Sequence, residues 1–169
     1  MQNVSNSSEE EEEEPQPKVS LFFERVRIHG DHHFMKTYAY IHEDRKFFDV
    51  FIKLDRKLGS NYLIMNINMR AKFAGSNDFM KLFELRHMDF CAFANNPSFR
   101  QFFMSTTHIS KVLECPIQEG NYSIENIGVM NIVSAGSLSK GTYKFFTEIV
   151  EVTGDIPKIF AMQVTTLII

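Results

Sequence analysis

Leu63-Ile64-Met65-Asn66-Ile67-Asn68-Met69-Arg70-Ala71-Lys72-Phe73 decides the fold class. Leu63, Met65, Ile67, Met69, Ala71 and Phe73 fall on one side of an extended chain, and Ile64, Asn66, Asn68, Arg70 and Lys72 on the other. A helix would scatter these residues around its circumference. A strand sorts them onto two faces, because successive side chains point oppositely. A slip of one residue would bury Arg70 and Lys72, so the pattern also sets the register.

The same alternation recurs outward from this strand. Upstream, Phe47 to Leu54 places Phe48, Val50, Ile52 and Leu54 on one face, and Phe34 to Ile41 places Tyr38 and Tyr40 together. Val19 to Ile28 is the first strand, with Leu21, Phe23 and Arg25 on one face and Phe22, Val26 and Ile28 near the other. Turns rich in Gly, Asn, Asp and charge separate them: His29 to His33, His42 to Arg45, Gly59 to Asn61, and Gly75 to Asp78. Downstream, Phe79 to Cys91 changes phase between Leu85 and Met88, which predicts a β-bulge near His87. Tyr122 and Ile124, then Tyr143, Phe145, Thr147 and Ile149, then Ile159 to Ile169 supply three further strands, with a turn at Gly154 to Pro157. Seven or eight strands with short turns predict an all-β fold: a two-sheet antiparallel, immunoglobulin-like sandwich.

One segment departs from that pattern. Asn96 suits an N-cap and Pro97 a first helical position, and Phe99, Phe102 and Phe103 share one helical face. A second short turn is expected around Ile109, Val112 and Leu113, so the helical insert spans about 96–113. It plugs a sheet edge or forms a lid over a cavity. The only two cysteines, Cys91 and Cys115, bracket it. Two cysteines are too few for a disulfide scaffold or a zinc site, and the residues alone leave a bridge and two buried thiols equally open.

The 169 residues form one domain, expected at 18–169 behind a disordered acidic tail at 1–17 that carries Glu9 to Glu14. Without those six glutamates the chain has 15 acidic and 18 basic residues, too even a balance for a nucleic-acid footprint. No apolar run reaches the length of a membrane span. The N-terminus as written has neither the basic nor the apolar region of a signal peptide, which taken alone points to the cytosol. Phosphate loops, nucleophile elbows, zinc-protease helices and Cys-x-x-Cys are absent, and acidic residues sit singly at turns. The chain reads as a non-enzyme with no cofactor and no metal. His32 and His33 are turn residues, and pairing Cys91 or Cys115 with a histidine as a nucleophile has no local support. Asn3, Asn6 and Asn121 sit in N-x-S sequons, which matter in a secretory route.

Cys115-Pro116-Ile117-Gln118-Glu119-Gly120-Asn121-Tyr122, followed by Ser139-Lys140-Gly141-Thr142-Tyr143-Lys144, resembles the ML-type lipid-recognition domains, the ganglioside activator among them. Asp89-Phe90-Cys91-Ala92-Phe93 and Asn96-Pro97 extend the likeness to a family of secreted insect proteins with chemosensory members. The resemblance runs from about Val19 onward. It implies sheets that splay to admit a lipid or another apolar small molecule, and a bond between Cys91 and Cys115. It also implies secretion. The family's second cysteine pair falls on Ile28 and Ala39, so that bridge is replaced by apolar side chains.

The expected ligand walls are Phe48, Val50, Ile52, Leu63, Met65, Ile67, Met69 and Phe83, with Phe99, Phe102 and Phe103 as rim or lid. The alternative is a solid-core sandwich that recognises protein or carbohydrate through its loops.

Overall fold

A computed structural model describes residues 19–59, 62–104, 107–111, 113–128, 138–152 and 158–169. The tail expected at 1–17, Val112 and the turn expected at Gly154 to Pro157 lie outside them. The described chain runs β1 (Leu21–Gly30), β2 (Met35–Ile41), β3 (Phe47–Leu54), β4 (Leu63–Phe73), β5 (Met80–Asp89), α1 (Phe90–Ala94), α2 (Pro97–Met104), β6 (His108–Ile109), β7 (Gly120–Gly128), β8 (Gly141–Glu151) and β9 (Lys158–Ile168). One sheet has the order β1-β9-β8-β4-β5 and the other β2-β3-β7-β6. Every pairing is antiparallel, which makes the two-sheet sandwich expected from the alternation.

The central register follows from burial. In β4, Met65, Ile67, Met69 and Ala71 face Ile149, Thr147, Phe145 and Tyr143 of β8. All eight point inward, while Asn66, Asn68 and Arg70 hold the solvent side. Two bulges explain the breaks in period. The pairing of β1 with β9 shifts between Phe23 and Arg25, so Val26 and Ile28 turn to the face that Phe23 occupies. The two-face assignment expected for β1 is corrected by that one extra residue. In β5 the pairing with β4 shifts between Met65 and Ile67, and His87 takes φ +58, placing the bulge where the phase change predicted it.

The insert differs in detail from the sequence reading. Its first turn, α1, starts at Phe90, capped by Asp89, whose side chain accepts a hydrogen bond from the Ala92 amide at 3.0 Å. Asn96 opens α2 as expected, its Oδ1 accepting from the Ser98 amide at 2.9 Å. The helical turn expected at Ile109 is instead the short strand β6, which pairs His108 and Ile109 with Glu125 and Ile124. Ile109 therefore uses its backbone to extend the second sheet.

The two sheets meet most closely where β1 packs on β2. There Phe23 and Phe48 are fully buried, their rings edge-to-face at 4.9 Å, with Val50, Ile127 and Val164 around them. Ile28 packs against this cluster and its neighbour. Each fully buried Phe or Val contributes about 1.5–3 kcal/mol relative to exposure. A second cluster gathers at one end, around Leu63, Phe90, Ile117 and Ile159. Beside it Cys91 and Cys115 form a disulfide, at a Cα separation of 5.7 Å. Gly59, at φ +79, turns over this bond, where an added Cβ would stand 3.4 Å from the Cys115 Sγ. At the same end Arg56 lies over the Phe34 ring and donates to Glu151 at 2.8 Å, tying the β3–β4 connection to the end of β8.

Candidate functional site

The inward faces of the two sheets do not meet along their whole width. A cavity of about 440 Å³ lies between them. Its walls come from β3 (Phe48, Val50, Ile52 and Leu54), β4 (Leu63, Met65 and Ile67), β7 (Tyr122, Ile124 and Ile127), β8 (Phe145, Thr147 and Ile149) and β9 (Ile159, Phe160 and Met162). The strand period creates most of this lining, and register shifts in β7 and at the start of β9 bring Ile127 and the adjacent Ile159 and Phe160 to it as well. The volume falls within the range of pockets that enclose drug-sized ligands.

Access lies opposite the β1–β2 margin. β5 and β6 are the outer strands of their sheets on that side. Phe83 and Leu85 of β5 line the cavity yet remain 38% and 47% exposed. Inward-facing apolar side chains keep that exposure only where the opposite sheet leaves a gap. Ile109 of β6, Leu113, Phe93 and Ala94 of α1 and Arg100 of α2 complete this rim. The insert therefore forms a side wall at the open margin, and the disulfide holds both of its ends.

Of the expected wall residues, Phe48, Val50, Ile52, Leu63, Met65, Ile67 and Phe83 line the cavity. Met69 does not. It packs with Ala71, Tyr143 and Ile168 beyond the cavity's end. The side chains of Phe99, Phe102 and Phe103 lie outside the described residues. Sequence reasoning missed the contributions of β7, β8 and β9, although Tyr122 and Ile124 and the run Phe145, Thr147, Ile149 carry the same alternation. It also missed Phe90, Phe93 and Arg100 around the insert.

The polar groups on the lining are few among the described residues. The Tyr122 hydroxyl donates to the Gln118 carbonyl at 2.6 Å. Arg100 donates through Nε to the Ala94 carbonyl at 2.9 Å and through one Nη to Asn95 Oδ1 at 3.1 Å. Thr147 adds one hydroxyl near the middle. No carboxylate, histidine or thiolate lines this space among the described residues, so the lining itself offers no acid–base pair. Both cysteines are bonded, and neither can act as a nucleophile.

A second concavity, of about 520 Å³, lies on the outer face of the five-stranded sheet. Four of its charged side chains pair with one another, Glu84 with Arg86 and Glu148 with Lys158. Lys81, donating at 2.6 Å, and then Arg86 hold the Glu84 carboxyl below the usual carboxylate range. Lys158, 2.9 Å away, chiefly does the same for Glu148, against the opposing effect of burial. In the β1–β2 turn, Asp31, His32 and His33 bring one possible metal-ligand atom each within 4.8 Å of the others. The Asp31 carboxylate already accepts from the His33 amide at 2.9 Å and contacts His33 Nδ1 at 2.7 Å, and these bonds lower its pKa. That geometry closes the turn.

The chain matches a family described as a protein of unknown function (DUF1091) over residues 65–145, from β4 into β8. The matched stretch holds β5, the helical insert, both cysteines and β7, and so the whole rim of the cavity. No curated protein matches the chain.

Proposed function

We propose that the protein is a non-enzymatic binding protein that holds a lipid or another apolar small molecule between its two sheets, as a carrier or in chemosensory capture. The observation that carries this reading is the inter-sheet cavity, lined by apolar side chains from five strands and open beside Phe83 and Leu85. A ligand burying roughly 300 Å² of apolar surface gains about 7–8 kcal/mol at 25 cal/mol per Å². Association costs offset several kcal/mol of that, so affinity depends on how well the cavity is already formed. Arg100 at the rim suits a neutral or anionic polar end and disfavours a cationic one.

The disulfide supports secretion, because such bonds persist in oxidising compartments. No helix among the described residues is long and apolar enough to cross a membrane.

Native mass spectrometry of the purified protein, before and after organic extraction, tests the reading, together with titration of a fluorescent fatty-acid analogue. The expected result is an extractable apolar adduct at one per chain and saturable probe binding that a second fatty acid displaces. A chain that carries no adduct and binds no apolar probe would be a solid-core interaction module instead.

A further inference from the structure

The outer face of the four-stranded sheet is aromatic. Tyr38 of β2 pairs with Phe51 of β3, their rings stacked at 6.1 Å, and Tyr38 is 59% exposed. Phe51 in turn pairs with Ser123 of β7, and Lys53 pairs with Asn121. Asn121 and Ser123 therefore share the outward face with Phe51, and Asn121 is its diagonal neighbour. Such diagonal neighbours lie roughly 7–8 Å apart at Cα, within reach of an aromatic side chain. Asn121 is exposed, and its side chain has no hydrogen-bond partner among the described residues. Asn121-Tyr122-Ser123 is an N-x-S sequon.

We propose that Asn121 carries an N-linked glycan whose first sugars lie over the Phe51 and Tyr38 rings. Asn121 Nδ2 bonds to C1 of the terminal N-acetylglucosamine of a lipid diphosphate-linked oligosaccharide. The C1–O bond to the diphosphate breaks, the amide gives up one proton, and the lipid diphosphate leaves. Transfer takes place on the extended chain in the secretory route that the disulfide supports.

Folding then sets the glycan where the sheet needs it. The C–H face of a sugar ring carries slight positive charge and meets the negative face of an aromatic ring. An exposed apolar patch on a soluble protein calls for a cover, and a bulky solubilising glycan supplies one. This proposal stands apart from the ligand reading, since it uses the opposite face of the sheet.

The test secretes the full chain from insect cells behind a cleavable leader, with Asn3→Gln and Asn6→Gln removing the other two sequons. Glycopeptide mass spectrometry reads occupancy at Asn121, and Ser123→Ala is expected to abolish it while Ser123→Thr retains it. In the glycosylated protein, protons of the first sugar are expected to shift upfield from the ring current of Phe51. Phe51→Ala should return them to the values of a free glycan. A folded, secreted protein with Asn121 unmodified overturns the proposal, and so does an occupied site whose sugar protons already match a free glycan.

Discussion

Thr147→Phe distinguishes a cavity from a solid core. Thr147 sits mid-strand in β8, between Ile67 of β4 and Met162 of β9, and its side chain lines the inter-sheet space. Phe exceeds Thr by roughly 70 Å³, and filling empty space returns at most about 24 cal/mol per Å³, or about 1.7 kcal/mol. In a close-packed interior the same ring would cost about 1–3 kcal/mol through forced rotamers and backbone shifts. The two interiors thus predict opposite signs. Urea unfolding followed by far-UV circular dichroism measures the difference through the midpoint at constant slope. The expected outcome is a stability equal to or above that of the parent, with a tenfold or greater loss of fatty-acid probe affinity. Thr147→Val is the control for the lost hydroxyl and should keep its probe affinity. A Thr147→Phe variant that loses more than about 1 kcal/mol and still binds the probe at parental affinity refutes the cavity argument.

Removing the disulfide with Cys91→Ala and Cys115→Ala frees a loop with a sequence separation of 24, which costs about 3 kcal/mol from loop-closure entropy. Thermal melts should fall by roughly 6–12 °C for a domain of this size, and an unchanged melt would show that the loop is already held by packing. Met69→Ala should cost about 2–5 kcal/mol, since Met69 is buried with Ala71, Tyr143 and Ile168, yet leave probe affinity intact. A loss of affinity in folded Met69→Ala would place that side chain in the ligand's path. Asp31, Glu84 and Glu148 all have lowered pKa values, so the folded chain binds protons less readily than the unfolded one. Their stabilisation is complete above the ordinary carboxylate range near 4 and is lost as pH falls through it toward their depressed values. A denaturation midpoint that stays level from pH 6 to about pH 3 would contradict this sign.

The alternation in β4 was legible because one face is buried and the other solvated, and the same holds for β3. The side chains of these two strands that line the cavity were accordingly legible, and Met69, on the same face, lies beyond its end. Met69 shares its face with Ile67, and periodicity assigns a residue to a face without saying how far along the strand the cavity extends. β8 was readable as a strand, but its role as a wall depends on its place between β4 and β9, which no local pattern specifies. The first turn of the insert was hidden for a different reason. Phe90 and Ala94 are apolar at helical spacing, but they follow β5 without a break, so only the Asp89 cap marks the change. The short strand at His108 and Ile109 exists because β7 offers a free edge, which is a tertiary cause.

The fixed contacts of the sandwich leave one margin of the cavity unfastened. One long margin is closed by β1 against β2 and by the Phe23–Phe48 pair. One end is closed by the disulfide, by Gly59 turning over it and by the Arg56–Glu151 ion pair. The disulfide joins a helix that follows β5 of one sheet to the segment that leads into β7 of the other. It therefore anchors the insert while leaving β5 and β6 unjoined by backbone hydrogen bonds across the gap. Widening that gap breaks no sheet pairing. Under the proposed function, apolar capture at this margin needs neither a hinge in the chain nor the unfolding of a strand.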